Sequence, residues 1–331
     1  VLPAIAGRSG RPLHEETPEG DLARTFFHPT LQQALIDEAE RAGATIARPA
    51  RVREVTPATD GKQPSVRFDY DGDSIEVSAR LVVGADGRTS LVRTALGQPA
   101  REHRSERMLT GVRLANVGGD PEMGYLIVSP EPGGLTALFP QGDGHARAYL
   151  FTHEADNSAY RGDDGLRHFL DTAVGIGLPA EVVENATAAG PLAAFSASDS
   201  WIPEPHGNGL VLVGDAAGMS DPTWGMGMAL LFRDARVLSE ALTSFDDWST
   251  AVAHYATARV DYFERVLTAE DWLSDLMLSP GDEARSRARH AQHLWGTDPP
   301  RAIDLPGLGP DNDLSEEARV RFFGEDVPME A

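Results

Sequence analysis

The stretch from Gly209 to Leu242, GLVLVGDAAGMSDPTWGMGMALLFRDARVLSEAL, limits what this chain can fold into more than any other. An apolar run of Leu210, Val211, Leu212 and Val213 ends in Gly214-Asp215-Ala216-Ala217-Gly218. Asp221-Pro222 and glycines at 225 and 227 follow, and from Met228 the apolar spacing turns helical. The order is strand, acidic Gly-rich turn, helix. In open α/β sheets ligands bind at the carboxyl ends of such strands, where the helix N-terminus leaves unpaired N–H donors. Glycines without a Cβ let a planar or phosphorylated ligand approach the backbone. A buried strand that ends in an ordinary tight turn has the same composition, since Gly and Asp are common turn residues.

A second segment repeats the arrangement. Val82-Val83 runs into Gly84-Ala85-Asp86-Gly87-Arg88-Thr89-Ser90 and closes at Arg93. Asp86 can accept hydrogen bonds from loop N–H groups or from ligand hydroxyls, and Arg88 and Arg93 offer guanidinium forks for phosphate. Arg88 taken singly reads as a solvated surface charge.

Together the two segments resemble the "GADG" and "GDAA" motifs, in that order, of the para-hydroxybenzoate hydroxylase-like FAD-dependent monooxygenases. The resemblance covers about residues 25 to 270 and is carried by 82–93 and 209–235. It implies that Asp215, beside Gly214, holds a ribityl hydroxyl and that Pro222 lines the flavin ring. Gly225, Met226, Gly227 and Met228 would form the loop whose N–H groups face the pyrimidine edge. A helix N-terminus there favours negative charge on reduced flavin. Asp86 and Gly87 would touch the flavin and the nucleotide path. His28 falls where relatives carry Arg or Gln toward the FAD phosphate or ribose, and Val52 where a strand backbone meets the adenine. The chain departs from the pattern at Gly218 (His in the family), Trp224 (Gly), Met226 (Gln) and Ala229 (Asn). No GxGxxG occurs in the sequence, and Gly7-Arg8-Ser9-Gly10 does not fit that spacing.

The expected fold class is therefore α/β (α+β): a Rossmann-like FAD/NAD(P)-binding domain, N-terminally incomplete, with an inserted antiparallel-sheet substrate domain. The expected boundaries are 1–98 plus 206–285 for the discontinuous FAD-binding domain, lacking its first βαβ unit. The substrate domain takes 99–205 and a C-terminal tail 286–331. The resemblance implies FAD as cofactor, NAD(P)H as co-substrate, molecular oxygen, and hydroxylation of a small aromatic organic substrate. It names no catalytic acid or base, and no metal site is read. A flavin-dependent halogenase or reductase of the same fold is the alternative enzyme. Trp201-Ile202-Pro203 matches part of a halogenase tryptophan motif, but Ser198 and Ser200 stand where that motif has tryptophans. A non-catalytic chain that does not retain FAD is the third reading, because the pyrophosphate-binding turn is missing from the motifs.

Composition narrows the partners. A net charge of −22 repels phosphates, which argues against nucleic acid or an anionic membrane surface. With no cysteine, thiolate chemistry and disulfides are excluded. No apolar run reaches membrane-spanning length and the N-terminus lacks a charged leader, so a cytoplasmic protein without a membrane span is expected.

Along the chain, Val1–Ala6 reads as a strand. Leu31, Leu35, Ile36 and Ala39 mark a helix ending at Gly43. Ala44–Ala47 and Arg51–Val55 read as strands, and Ser65–Tyr70 with Ser74–Ser78 as a hairpin around Asp71-Gly72-Asp73. Four β-type runs between Met108 and Thr152 suggest an antiparallel sheet. Gly165–Val174 and Ser249–Leu278 read as helices, and 296–315 as irregular.

Overall fold

The computed structural model describes residues 10–12, 25–129 and 134–329. The expected strand Val1–Ala6 lies outside these. Two compact units partition the chain.

One unit comprises His28–Arg104 and Ser198–Glu264. Its centre is the strand Leu210–Leu212, which pairs in parallel with Val82–Gly84 and antiparallel with His206–Gly207. Leu210 and Leu212 pack on Val82, Val92 and Ile202. Val211 and Val213 pack on the other side, against Leu238, Ala251, Val252 and Tyr255 of the helices Gly227–Ser244 and Trp248–Leu278. Burial on both faces explains the unbroken apolar run, since a strand covered on both sides loses the alternation of a half-solvated one. Gly84 has no room for a side chain: a Cβ there would lie 2.6 Å from that of Val92.

Around this centre, Ala50–Thr56, Ser65–Tyr70 and Asp73–Ser78 form a three-stranded antiparallel sheet. Its hairpin turns at Asp71 and Gly72, both at positive φ (51° and 87°). That is the conformation that suits the right-handed twist of paired strands. Ala44–Ala47, expected as a strand, is irregular and leads into the Arg48–Pro49 peptide bond, which is cis. The strand starts only at Ala50, after the proline that cannot donate to a ladder. The helix His28–Arg41 buries none of its residues.

The other unit comprises the described residues of Val1–Phe27, Ser105–Ala197 and Arg265–Ala331. Met123–Ser129, Gly134–Gly142, His145–His153 and Arg107–Ala115 follow one another in an antiparallel sheet, extended at its ends by Gly10–Pro12, Thr187–Ala188 and Ala193–Ser196. Ala146, Ala148 and Leu150 pack on the side of Phe169, Ala173 and Ile176 from the helix Gly165–Ile176. Arg147 and Tyr149, between them in sequence, belong to the opposite face by the two-residue period of a strand. Arg147 stands directly across from Arg113, and Tyr149 across from Gly111. In the C-terminal segment Trp295 packs on Phe322, their ring centroids 4.8 Å apart and their planes tilted by 38°, and donates its indole N–H to the Phe322 carbonyl (2.9 Å). The expected irregular stretch 296–315 holds only short turns of helix, because prolines at 299, 300, 306 and 310 interrupt it.

Candidate functional site

Parallel pairing of Val82–Gly84 with Leu210–Leu212 brings two turns to the same end of neighbouring strands. The Gly84–Gly87 turn and the Gly214–Ala217 turn thus lie side by side. Arg93 ties them: its guanidinium donates to the Asp215 and Ala216 carbonyls (3.4 and 3.3 Å) and to the Arg88 carbonyl.

The two acids of these turns are used differently. The Asp86 carboxylate accepts from the Leu91 and Val92 amides (2.7 and 3.4 Å) and from the Ser90 hydroxyl, so it caps the start of the helix Leu91–Leu96. Asp215 is half-buried, and its carboxylate has no hydrogen-bond partner among the described residues. Burial pushes its pKa up, opposed by the Arg88 and Arg259 guanidiniums. A carboxylate taken from water without donors is an incomplete site, since desolvation is normally offset by hydrogen bonds.

Asp215 also meets the next helix. One of its oxygens lies 3.8 Å from where a Cβ on Gly227 would sit, and Gly227 opens the helix Gly227–Ser244. Between them, the Asp221 carboxylate accepts from the Thr223 amide (2.8 Å) and hydroxyl, shaping the 3-10 turn Pro222–Trp224. Pro222 is half-buried, Met226 buried, Met228 half-buried, and Gly225 and Gly227 exposed. Nothing lies within 4 Å of a Cβ built on Gly87 or Gly225, so the backbone is open at both turns. The remaining two candidates sit on other elements. His28 opens the helix His28–Arg41, and Val52, 41% exposed, lies in the middle of Ala50–Thr56.

Beneath the Gly214 turn lies a polar cluster to which the sequence reading assigned no role. Asp234, fully buried, accepts from the Gly214 amide (2.7 Å), from Arg259 Nε (3.1 Å) and from the Tyr262 hydroxyl. Tyr255 donates to the Leu212 carbonyl (2.9 Å). Both phenols are pushed well above the usual tyrosine range, by burial first and then by the Asp234 charge. A signal was present in the sequence. Asp234 falls on the stripe of Leu230, Leu238 and Ala241, and Arg259 on that of Val252, Tyr255 and Val266. Opposite charges on two apolar stripes must meet each other when the helices bury them.

Residues 15–267 match the family described as "FAD binding domain", and the chain belongs to it. It is 28% identical over 261 residues to a kynurenine 3-monooxygenase of Salinispora tropica, covering 68% of this chain and 55% of that protein. It is 27% identical over 238 residues to a digeranylgeranylglycerophospholipid reductase of Methanosarcina acetivorans, covering 69% and 54%. The chain thus spans about half the length of the curated relatives it matches. Its fold is that of the flavin-dependent brominase Bmp2 (TM-score 0.72, 13% identity, 97% of this chain and 82% of that one). It also follows aklavinone-11 hydroxylase, solved with FAD and aklavinone (TM-score 0.63, 19% identity, 82% and 50%). The turn residues fit a flavin: a half-buried acceptor without a donor, open glycine backbone, and a helix N-terminus beside it. Among the described residues no helix is long and apolar enough to cross a membrane, and no cluster could hold a metal ion.

Proposed function

We propose that this chain forms the flavin-facing part of an FAD- and NAD(P)H-dependent monooxygenase that hydroxylates a small aromatic substrate with molecular oxygen. The observation that carries the reading is Asp215, a half-buried carboxylate without a hydrogen-bond donor at the paired ends of two parallel strands. Bound FAD would supply the redox chemistry, taking a hydride equivalent from NAD(P)H and passing oxygen to the substrate. The chain's own residues bind and orient. Asp215 accepts a cofactor hydroxyl, and Arg93 holds the two turns together from behind. Pro222 and the Gly225–Met228 loop border the ring, and the N-terminus of Gly227–Ser244 favours negative charge on it. Asp86 acts by tying its turn to the start of the helix Leu91–Leu96. His28 and Val52 are assigned to the nucleotide end on family resemblance.

The antiparallel sheet of the second unit is the proposed substrate surface. On the face away from Gly165–Ile176, Arg113 donates to Gln141 Oε1 (3.2 Å) and lies over the Phe27 ring (4.3 Å), and Arg147 lies over the Tyr149 ring (5.2 Å), with no ion pair to either guanidinium among the described residues. Guanidinium planes beside aromatic rings suit a planar, electron-rich molecule.

The test is titration of the purified chain with FAD, followed by quenching of flavin fluorescence, then mixing with NADH or NADPH. Saturable binding that Asp215→Ala abolishes is the expected result, with release of FAD on a sizing column because no GxGxxG turn is in the sequence. Absence of any saturable binding refutes the assignment. Halide-dependent turnover would redirect it to a halogenase.

A further inference from the structure

Gly214 stands at φ +57°, and a Cβ there would lie 2.9 Å from Leu231 Cδ1. Its backbone is left-handed, buried, and immediately precedes the acid on which the flavin reading rests. Glycine adopts this conformation without strain and is equally free to leave it, so its contacts fix the turn. The Gly214 amide donates to a fully buried carboxylate, Asp234 Oδ2, at 2.7 Å. Bonds from an amide to an ionised acceptor are about twice as strong as neutral ones.

Asp234 is in turn over-determined. Arg259, 1% exposed, donates to the same Oδ2, and Tyr262 donates to Oδ1. The Arg259 guanidinium is packed over the Phe263 ring at 4.8 Å, and Arg233 lies over the Tyr262 ring at 5.3 Å. All three donors to Asp234 are fixed by packing, so the carboxylate has one orientation available. Arg259 Nη2, though buried, has no hydrogen-bond partner. A cation kept in the interior with part of its donor capacity unused is costly to fold around. Hydrophobic residues would fill the space at lower cost, which points to a role other than stability. At the open site, burial raises the pKa of Asp215, and the guanidiniums of Arg88 and, after it, Arg259 oppose that rise.

We infer that Asp234 is a positioning residue for the flavin-facing turn, fixing the Gly214 amide so that the Asp215 carboxylate is presented in one geometry, with Arg259 and Tyr262 holding Asp234 in place. The inference rests on the reading that Asp215 receives FAD. It assigns to the helix pair Gly227–Ser244 and Trp248–Leu278 a part in cofactor affinity through residues that do not themselves reach the open site. Supporting partners of this kind change ligand affinity by about 10–100-fold in metal sites, where they are best measured.

Three variants of the full 331-residue chain test it: Tyr262→Phe, Asp234→Asn and, as a control for core damage in the same unit, Leu242→Ala at the far end of the helix Gly227–Ser244. FAD affinity is read by fluorescence quenching, and unfolding temperature is read without FAD. Tyr262→Phe removes only one hydroxyl donor and keeps the ring, so it covers the case in which Asp234→Asn does not fold. The expected result is FAD binding weakened by about tenfold or more in Tyr262→Phe. Leu242→Ala, about 12 Å along the helix from Asp234, should lower the unfolding temperature at least as much yet keep FAD affinity within about twofold, as expected for a distant site. If all variants lose affinity only in step with their unfolding temperature, or if Tyr262→Phe binds FAD like the parent, the positioning role is refuted while the flavin site stands. If the parent chain shows no saturable FAD binding, the flavin reading fails and this inference fails with it.

Discussion

Replacing Arg259 by methionine would leave the Asp234 carboxylate buried with no cation. The pair is 1% and 0% exposed and meets at 3.1 Å. Removing one member of such a pair typically costs about 3–5 kcal/mol, because the remaining charge keeps its desolvation penalty and loses its attraction. At about 2–4 °C per kcal/mol for a body of 150–250 residues, the unfolding temperature should fall on the order of 10 °C. The double variant Asp234→Leu/Arg259→Met removes both charges. It leaves the Gly214 amide and the Tyr262 hydroxyl unsatisfied, at about 1–3 kcal/mol each, but no isolated ion. It should therefore be less damaged than the sum of Asp234→Leu and Arg259→Met, by a coupling of about 1–3 kcal/mol. Urea unfolding of the parent, the two single variants and the double variant, compared at equal slope, measures this. An Arg259→Met cost below about 1 kcal/mol, or strict additivity in the double variant, would refute the claim that the two charges depend on each other.

Other outcomes follow from single positions. Gly214→Ala places a side chain at φ +57° and should cost about 1–2 kcal/mol of stability, read as a lower denaturation midpoint. Asp215 has a folded pKa raised above its ordinary value of 3.8, so its ionisation opposes folding at pH values above that range. Asp215→Asn should stabilise the FAD-free chain at pH 7, and the difference should vanish as pH falls below 3.8, which thermal unfolding over a pH series will check. Asp247 behaves oppositely. Hydrogen bonds from the Ser249 and Thr250 hydroxyls and amides hold its carboxyl far below the usual range. Stability from Asp247 is present above the ordinary value of 3.8 and is lost as pH falls through the depressed one, so Asp247→Ala should lower the unfolding temperature at pH 7 and matter less in strong acid.

What the sequence revealed was local and repetitive. Leu210–Val213 and Val82-Val83 announced themselves as strands because unbroken apolar runs ending in Gly and Asp have few other solutions. Asp71-Gly72 announced a hairpin for a similar reason, a backbone requirement met by two residue types. Asp215 was legible because the acid sits in the turn itself. Asp234 was legible only as a charge on an apolar stripe; its role depends on Arg259 and Tyr262, 25 and 28 residues onward on another helix, which only tertiary packing brings to it. Asp86 was legible as a turn acid. That its side chain serves the helix Leu91–Leu96 depends on distances to Ser90 and Leu91, which spacing leaves open. Ala44–Ala47 was misread because its apolar residues carry strand composition without a neighbouring strand to pair with.

The double burial of Leu210–Val213 also has a kinetic meaning. Leu210 and Leu212 belong to one apolar cluster, Val211 and Val213 to another. The strand cannot shift by a residue or open at its end without disturbing both. Its amides should accordingly be among the slowest in the unit to exchange with solvent deuterium, since they open only with the larger cooperative body. The Gly214 turn inherits that stiffness from the strand that feeds it. A ligand arriving at Asp215 then meets a surface whose conformational entropy was lost on folding rather than on binding, and the affinity it finds there is correspondingly less taxed by ordering.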